Sequence, residues 1–163
     1  MAVMPVTVTA RPVSTGAYRH LFDGYVLRRV QVVHSRVEQA LQQAGRVPEE
    51  TLTAALPSLE YAFKLPAIWP HTRDLLLLVA QPMALAGSRD EWIPYLERGI
   101  DLSRQLGDVE GEINLLMPLA RLRFQQSRSR QMVSAYRQVI RLAQREGDHY
   151  NLARAPTNLG YHY

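Results

Sequence analysis

The sequence predicts an all-α protein made of antiparallel helix pairs, and three observations lead to that fold class. Apolar residues recur at steps of three and four over most of the chain. The two-residue alternation typical of a half-buried β-strand does not occur after the first sixteen residues. Two matching stretches, LSRQLGD at 102–108 and LAQREGD at 142–148, lie forty residues apart, which indicates a repeated unit.

The first two predicted helices form a divergent pair at about 18–64. Residues 1–16 contain Pro, Thr and Val without helical spacing, so we expect a flexible lead-in. An apolar stripe of valines, alanines and a leucine predicts a first helix from Tyr25 to Ala44. A second helix is expected from Glu50 to Lys64, with a kink or a late start at Pro57.

Beyond two further prolines, the same periodicity predicts a third helix from about His71 to Ala86 and a fourth from Trp92 to Leu106. The intervening GSRDE is a turn. Together with the matching stretches, these helices define repeat units. One helical-repeat domain is therefore expected over 17–163, with units at about 71–107 and 108–147 and an incomplete unit at 148–163.

The Gly-Asp dipeptide at the end of each matching stretch is expected to join one unit to the next. Gly107 and Gly147 would take the positive φ that closes a helix without a side-chain clash. Asp108 and Asp148 would then accept hydrogen bonds from the free amides that open the following helix. Each unit is consequently a first helix, a turn, and a second helix that ends at Gly-Asp.

When the sequence is aligned with itself at a shift of forty residues, small residues also coincide. Small residues are expected where neighbouring helices approach each other closely. Ala80, Ala120 and Gly160 coincide and are expected at that contact. The bulky Leu96 and Tyr136 coincide as well, and are expected to fill the interior of each pair.

These residues, together with NLGYHY at 158–163 and the early aromatic Tyr136, resemble a tetratricopeptide repeat. The forty-residue period and the LAQREGD ending are similar to the variant repeats of bacterial NB-ARC and MalT-like signalling ATPases. The resemblance implies a right-handed superhelix of stacked α-α pairs that binds proteins. Three features depart from the family pattern: Arg123 replaces a first-helix aromatic, the unit-ending proline is missing, and Pro82 and Pro118 predict bends.

Composition excludes several function classes. The chain has no cysteine, which excludes disulfides and thiolate nucleophiles. Lys64 is the only lysine and has no glycine-rich turn beside it, which argues against a phosphate-binding loop. The longest apolar run, at 75–80, is too short to span a bilayer. We therefore expect a cytoplasmic protein with no membrane partner, and a net charge of +4 does not by itself indicate nucleic acid.

No catalytic constellation emerges, so we expect no enzyme, no cofactor and no metal. The five histidines lie at 20, 34, 71, 149 and 162, without the i, i+4 spacing of a zinc helix. Serines in the predicted turns are explained by capping. Glu49, Glu50, Glu110 and Glu112 open predicted helices, where the helix dipole favours negative charge.

In the tetratricopeptide family the first helices line a concave groove, and the resemblance implies which positions would bind a protein or peptide. The alternative, equally open at this point, is that several of these side chains only pack against the adjacent helix. The implied groove residues are Asp74, Leu77, Gln81, Asn114, Met117, Arg121, Arg154, Thr157 and Tyr161.

A second candidate is the arginine-rich turn at 121–131, RLRFQQSRSRQ. It could bind an acidic peptide, phosphate or nucleic acid, and the alternative is a solvated turn between helices. A nucleic-acid-binding helical module is accordingly the alternative to a protein-binding scaffold. The arginines of this basic turn are Arg121, Arg123, Arg128 and Arg130.

The end of the sequence predicts a further contact. Residues 148–163 supply a first helix but no second helix to cover it, and an uncovered repeat leaves apolar surface facing water. We expect either a longer repeat array, in a fragment or partner of a bacterial signalling assembly, or self-association near Leu159, Tyr161 and Tyr163.

Overall fold

The computed structural model describes residues 15–87 and 89–160, and it is helical throughout, without a strand in either range. Within these two ranges, seven α-helices follow one another, with one short 3-10 turn before the third. Their bounds are α1 Thr15–Ala44, α2 Glu49–Ala62, the 3-10 turn Pro66–Ile68, α3 Trp69–Leu85, α4 Arg89–Leu106, α5 Val109–Gln125, α6 Ser129–Glu146 and α7 His149–Gly160. The predicted all-α class is confirmed.

The first helix is longer than the sequence pattern predicted. It begins at Thr15 instead of Tyr25, so the predicted lead-in at 1–16 is wrong for its last two residues, and the rest of that lead-in lies outside the described residues. The pattern missed the extra turns because Tyr18, Leu21 and Tyr25 are exposed and lie off the buried valine stripe.

Prolines lie inside several helices without ending them. The predicted late start at Pro57 is wrong, because α2 begins at Glu49 and continues past that residue. Pro82 in α3 and Pro118 in α5 are likewise inside unbroken helical segments. Pro57 is on the exposed face of its helix, where a backbone group freed by the missing N–H can be satisfied by water.

The two Gly-Asp joints have the predicted geometry. Gly107 and Gly147 both adopt φ 69°, the left-handed conformation. The carboxylate of Asp108 accepts from the Gly111 N–H at 2.9 Å, and that of Asp148 accepts from the Asn151 N–H at 3.0 Å. The forty-residue joint is therefore confirmed as a repeated stop-and-start signal between helices.

Each helix packs against the next one in the chain, and α3 also packs against α1 and α5. A continuous core runs through these contacts. Leu96 and Tyr136 are almost fully buried, as expected for the interior of the helix pairs. Ala80 and Ala120 are also buried, but Gly160 is exposed and a Cβ there would meet no atom within 4 Å. The expectation of a close approach at Gly160 is therefore wrong, since no described helix lies beside it.

Candidate partner-binding cleft

A cleft of about 440 Å³ lies between α3, α5 and α7. α5 and α7 each begin after a Gly-Asp joint, whereas α3 begins after the 3-10 turn. The lining residues come mostly from α3 and α5: Leu77, Ala80, Gln81, Ala84, Leu85, Asn114, Met117, Pro118, Arg121, Leu122, Gln125 and Arg154.

Six of the nine residues that the resemblance implied are brought together here. They are Leu77, Gln81, Asn114, Met117, Arg121 and Arg154. Two of the other three lie elsewhere, and the third is not among the described residues. Asp74 forms an ion pair with the adjacent Arg73 and borders a smaller hollow with His34 and His71. Thr157 is exposed and donates to the Ala153 carbonyl, and Tyr161 lies outside the described residues.

The floor of the cleft is apolar and its rim is polar. Ala80, Met117 and Leu122 form part of the floor and are themselves nearly inaccessible to solvent. Gln81 and Gln125 offer exposed amides at the rim. An apolar floor with a few polar groups around it is the arrangement common to ligand-binding clefts.

Two arginines add positive charge to the rim. Arg121 on α5 and Arg154 on α7 are both exposed, and neither forms an ion pair with a described carboxylate. Arg154 lies over the ring of Tyr150, with its guanidinium carbon 5.7 Å from the ring centroid. Both arginines also act on buried Tyr136: burial raises the pKa of its hydroxyl, and the two positive charges oppose that rise. Cationic groups from two helices therefore converge beside the cleft.

A second hollow, of about 630 Å³, continues from the cleft along α3 toward the end of α1. The two share Leu77, Gln81 and Leu85. Leu85 is 80% exposed, the highest value among the large apolar side chains described. The side of α3 that carries these residues is thus accessible along much of its length.

Sequence reasoning identified Asp108 as a helix cap but missed its other contacts. Its carboxylate also accepts from the indole Nε1 of Trp69 at 2.7 Å and from the guanidinium of Arg73 at 3.0 Å. Gly111 makes room for this, because a Cβ at that position would collide with the Asp108 carboxylate and lie 3.0 Å from Arg73 Cδ. Asp108 therefore links the start of α5 to the start of α3.

At the second joint, the additional side-chain donor to the aspartate comes from the capped helix itself. Asn151 stands forty residues after Gly111, and its side-chain amide donates to Asp148 at 2.6 Å. Ile113, the equivalent of Arg73, has no donor to offer. No repeating pattern in the sequence could have revealed the Trp69 and Arg73 contacts, because they occur in one unit only.

The four arginines of the basic turn do not form one cluster in the structure. Arg121 lines the cleft, whereas Arg123 forms an ion pair with Glu97 on α4. Arg128 is at the N-terminal cap of α6, and Arg130 is in the first turn of that helix beside a separate hollow. Only Arg128 and Arg130 remain as exposed neighbours at the turn itself.

No group of three or more potential metal ligands occurs within the described ranges. None of the seven helices combines the length and hydropathy needed to cross a bilayer, as far as the described residues show. A scan against protein-family models, a search of curated proteins and a search of solved structures found no match to this chain.

Proposed function

We propose that this chain is a non-enzymatic, tetratricopeptide-repeat-like scaffold that binds an extended segment of a protein partner in the α3/α5/α7 cleft. The observation that carries the proposal is the combination of an apolar floor with Arg121 and Arg154 on its rim, neither of which forms an ion pair with a described carboxylate. Three separate helices supply this surface, which is what stacked helix pairs offer.

The packing of alternate helices supports the repeat-like part of the proposal. The first helix α3 contacts both α1 and α5 directly, and α2 and α4 each contact the first helices on both sides of them. Together with the forty-residue joints, this contact pattern is compatible with a superhelix of stacked pairs. In that arrangement the cleft lies on the concave side of the superhelix. The chain would then act in a cytoplasmic signalling or regulatory assembly like those of the bacterial signalling ATPases whose repeats it resembles.

The chemistry of the cleft favours a segment with aliphatic side chains and carboxylates. Leucine or a similar side chain would bury apolar area against the partly buried Leu77 and the exposed Leu85. Carboxylates would form charge-assisted hydrogen bonds with Arg121 and Arg154. The rim amides of Gln81 and Asn114 can pair with the backbone of an extended chain.

A fluorescein-labelled peptide of alternating leucine and glutamate tests this proposal by fluorescence anisotropy. We expect it to bind the full chain, and the double substitution Arg121→Ala/Arg154→Ala to weaken binding about tenfold or more. A peptide with lysine in place of glutamate is the matched ligand control. Equal binding of both peptides, or turnover of a nucleotide, ester or phosphoester abolished by one point substitution, would contradict the proposal.

Nucleic-acid binding is the second candidate function, and it is supported by the excess of positive charge in the C-terminal part of the chain. Residues 121–163 contain eight arginines and two acidic residues, whereas residues 1–120 contain eleven basic and thirteen acidic residues. Binding through several arginines would weaken steeply as salt rises, while a cleft with apolar anchors would be less sensitive. Unchanged retention of an oligonucleotide after Arg128→Ala/Arg130→Ala would remove the turn as its site.

A further inference from the structure

A row of arginines lies on the exposed side of α6. Arg130, Arg137 and Arg141 are seven and four residues apart, which places them on one side of the helix. All three are exposed, and none forms an ion pair with a carboxylate that the structure describes. They line the same surface hollow of about 590 Å³, so their side chains lie near one another. We refer to these three residues as the α6 arginine row.

The α6 arginine row points away from the core side of its helix. Both α5 and α7 pack against α6, and the buried residues of α6 are Met132, Ala135, Tyr136, Val139 and Ala143. Met132 and Val139 each come two residues after an arginine of the row, which is about half a helical turn away. The packing of α7 on α6 therefore leaves the row accessible to solvent.

The fold does not require positive charge at these positions. Forty residues before the row lie Asp90, Glu97 and Asp101 on α4. α4 and α6 are both helices of 18 residues and have the same place in their units. Since α4 forms with carboxylates at the equivalent positions, helix formation does not account for the three arginines.

The charge and polarity of α6 favour a phosphate backbone over an acidic protein. The helix carries four arginines and one carboxylate, Glu146, which pairs with Arg145 at 2.9 Å. None of the exposed large apolar side chains in the described ranges is on α6. Protein interfaces depend on buried apolar or aromatic anchors and have few charges at their centre, whereas binding to nucleic-acid phosphates depends mainly on positive charge.

The same helix favours a duplex over a single strand. Proteins that bind single strands usually offer aromatic side chains on which bases stack, but Tyr136, the one aromatic residue of α6, is 1% exposed. Helical rise places Arg130 and Arg141 about 16 Å apart along α6. One strand of a duplex carries about five phosphates over that length of its axis, so each arginine of the row can reach a phosphate of its own.

We propose that the α6 arginine row binds the phosphate backbone of double-stranded nucleic acid. Each guanidinium would donate paired hydrogen bonds to phosphate oxygens. Such contacts position a duplex without reading its base sequence. This surface gives the second candidate function a site of its own, and it does not depend on the α3/α5/α7 cleft.

The probes are fluorescein-labelled DNA and RNA duplexes of about 20 base pairs, and fluorescence anisotropy at several salt concentrations gives the dissociation constants. The DNA and RNA arms distinguish the two sources of a duplex backbone. The receptor is the full chain as wild type, with the row changed to alanine (Arg130→Ala/Arg137→Ala/Arg141→Ala), and with the row changed to lysine (Arg130→Lys/Arg137→Lys/Arg141→Lys).

A charge-matched control removes three arginines from α1 instead (Arg19→Ala/Arg28→Ala/Arg36→Ala). These arginines are also exposed and form no ion pair with a described carboxylate. Circular dichroism checks that every variant is folded. The cleft variant Arg121→Ala/Arg154→Ala is measured with the same duplexes, so that a failure of this proposal can be told apart from a failure of the cleft proposal.

We expect wild type to bind a duplex, and the alanine variant of the row to bind it about tenfold or more weakly at low salt. Because three phosphate contacts are lost, the slope of log affinity against log salt should become shallower by about 2–3. The lysine variant keeps the three charges and should keep the slope. The α1 control and the cleft variant should also keep the wild-type slope.

Equal slopes for wild type and the alanine variant of the row, or an equal loss in the α1 control, would overturn the proposal. So would oligothymidine bound as tightly as the duplexes, since the site would then serve single strands. Tighter binding of polyglutamate or of phosphatidylserine vesicles through the same three arginines would also overturn it, because the surface would then be a protein or a membrane site.

Discussion

The indole Nε1 of Trp69 donates to the carboxylate of Asp108 at 2.7 Å, across thirty-nine residues of sequence. Trp69 begins α3 and is 4% exposed, so the start of α3 and the start of α5 share a partly buried polar contact. Arg73 completes the contact with a hydrogen bond of 3.0 Å to the same oxygen. Asp108 consequently links two of the helices that form the cleft.

Replacing that aspartate should destabilise the protein more than replacing its repeat equivalent. Asp108→Ala removes a cap, worth about 0.5–2 kcal/mol, and charge-assisted bonds to side chains of another helix, so we expect a total loss of about 2–4 kcal/mol in the free energy of unfolding. Asp148→Ala removes a cap whose side-chain partner, Asn151, is in the same helix, and should cost less. Urea denaturation followed by circular dichroism measures both, and equal losses would show that the Trp69 and Arg73 contacts contribute nothing.

Stability should also depend on pH through Asp108. Burial raises the pKa of its carboxyl, but the Gly111 N–H, the Trp69 indole and the Arg73 guanidinium together lower that pKa below its ordinary value of 3.8. A group with a depressed folded-state pKa stabilises the fold above the unfolded value, and this contribution is lost as pH falls through the folded value. Between about pH 5 and about pH 2, unfolding free energy should therefore fall more steeply for wild type than for Asp108→Asn. Parallel curves would contradict this expectation.

Gly99 is a position in α4 where a methyl group should be harmful. A Cβ there would lie 2.9 Å from Leu76 Cδ1 and 3.0 Å from Leu115 Cδ1, and both leucines are fully buried. Overpacking should cost about 1–3 kcal/mol of the free energy of unfolding, which exceeds the gain of about 1 kcal/mol from replacing glycine by alanine in a helix. Gly99→Ala should therefore lower the midpoint temperature of thermal unfolding. Gly24→Ala in α1 is the control, because no atom lies within 4 Å of its added methyl. It should raise the midpoint.

Glu112 should contribute to the packing of α4, α5 and α6. It is 7% exposed and accepts from Arg104 at 2.7 Å and from Gln138 at 2.8 Å. Glu112→Ala leaves the partly buried Gln138 amide without this acceptor, and we expect a loss of about 1.5–3 kcal/mol. Glu112→Gln keeps one acceptor oxygen and should lose less. Chemical denaturation compares the two, and an alanine variant as stable as wild type would show that water replaces both bonds.

The helix count, the order of the elements and the Gly-Asp joints could be predicted from the sequence because they depend on local chemistry. Apolar spacing defines the buried side of a helix, and glycine followed by aspartate ends one helix and caps the next. The same reasoning missed the helical segment at Thr15–Tyr25, where exposed aromatic residues interrupt the apolar pattern. It was also wrong at Gly160, because a close helix contact requires a neighbouring helix as well as a small residue.

Six of the nine implied groove residues line one cleft because the repeat places the same side of each first helix in register. Asp74 shows the limit of register: it lies about one helical turn before Leu77, does not line the cleft, and is paired with Arg73. Position within a repeat is a local property, whereas the extent of a cleft depends on where neighbouring helices diverge.

The sequence by itself therefore determined the helices and the joints between them, since both arise from residues within a few positions of one another. Only the tertiary structure decided which charges are neutralised. Arg123 and Arg130 are neighbours in one basic turn, yet the first is paired with Glu97 and the second has no partner among the described residues. The physical reason is that an ion pair needs two groups within about 4 Å, and for residues on different helices that distance is set by packing alone.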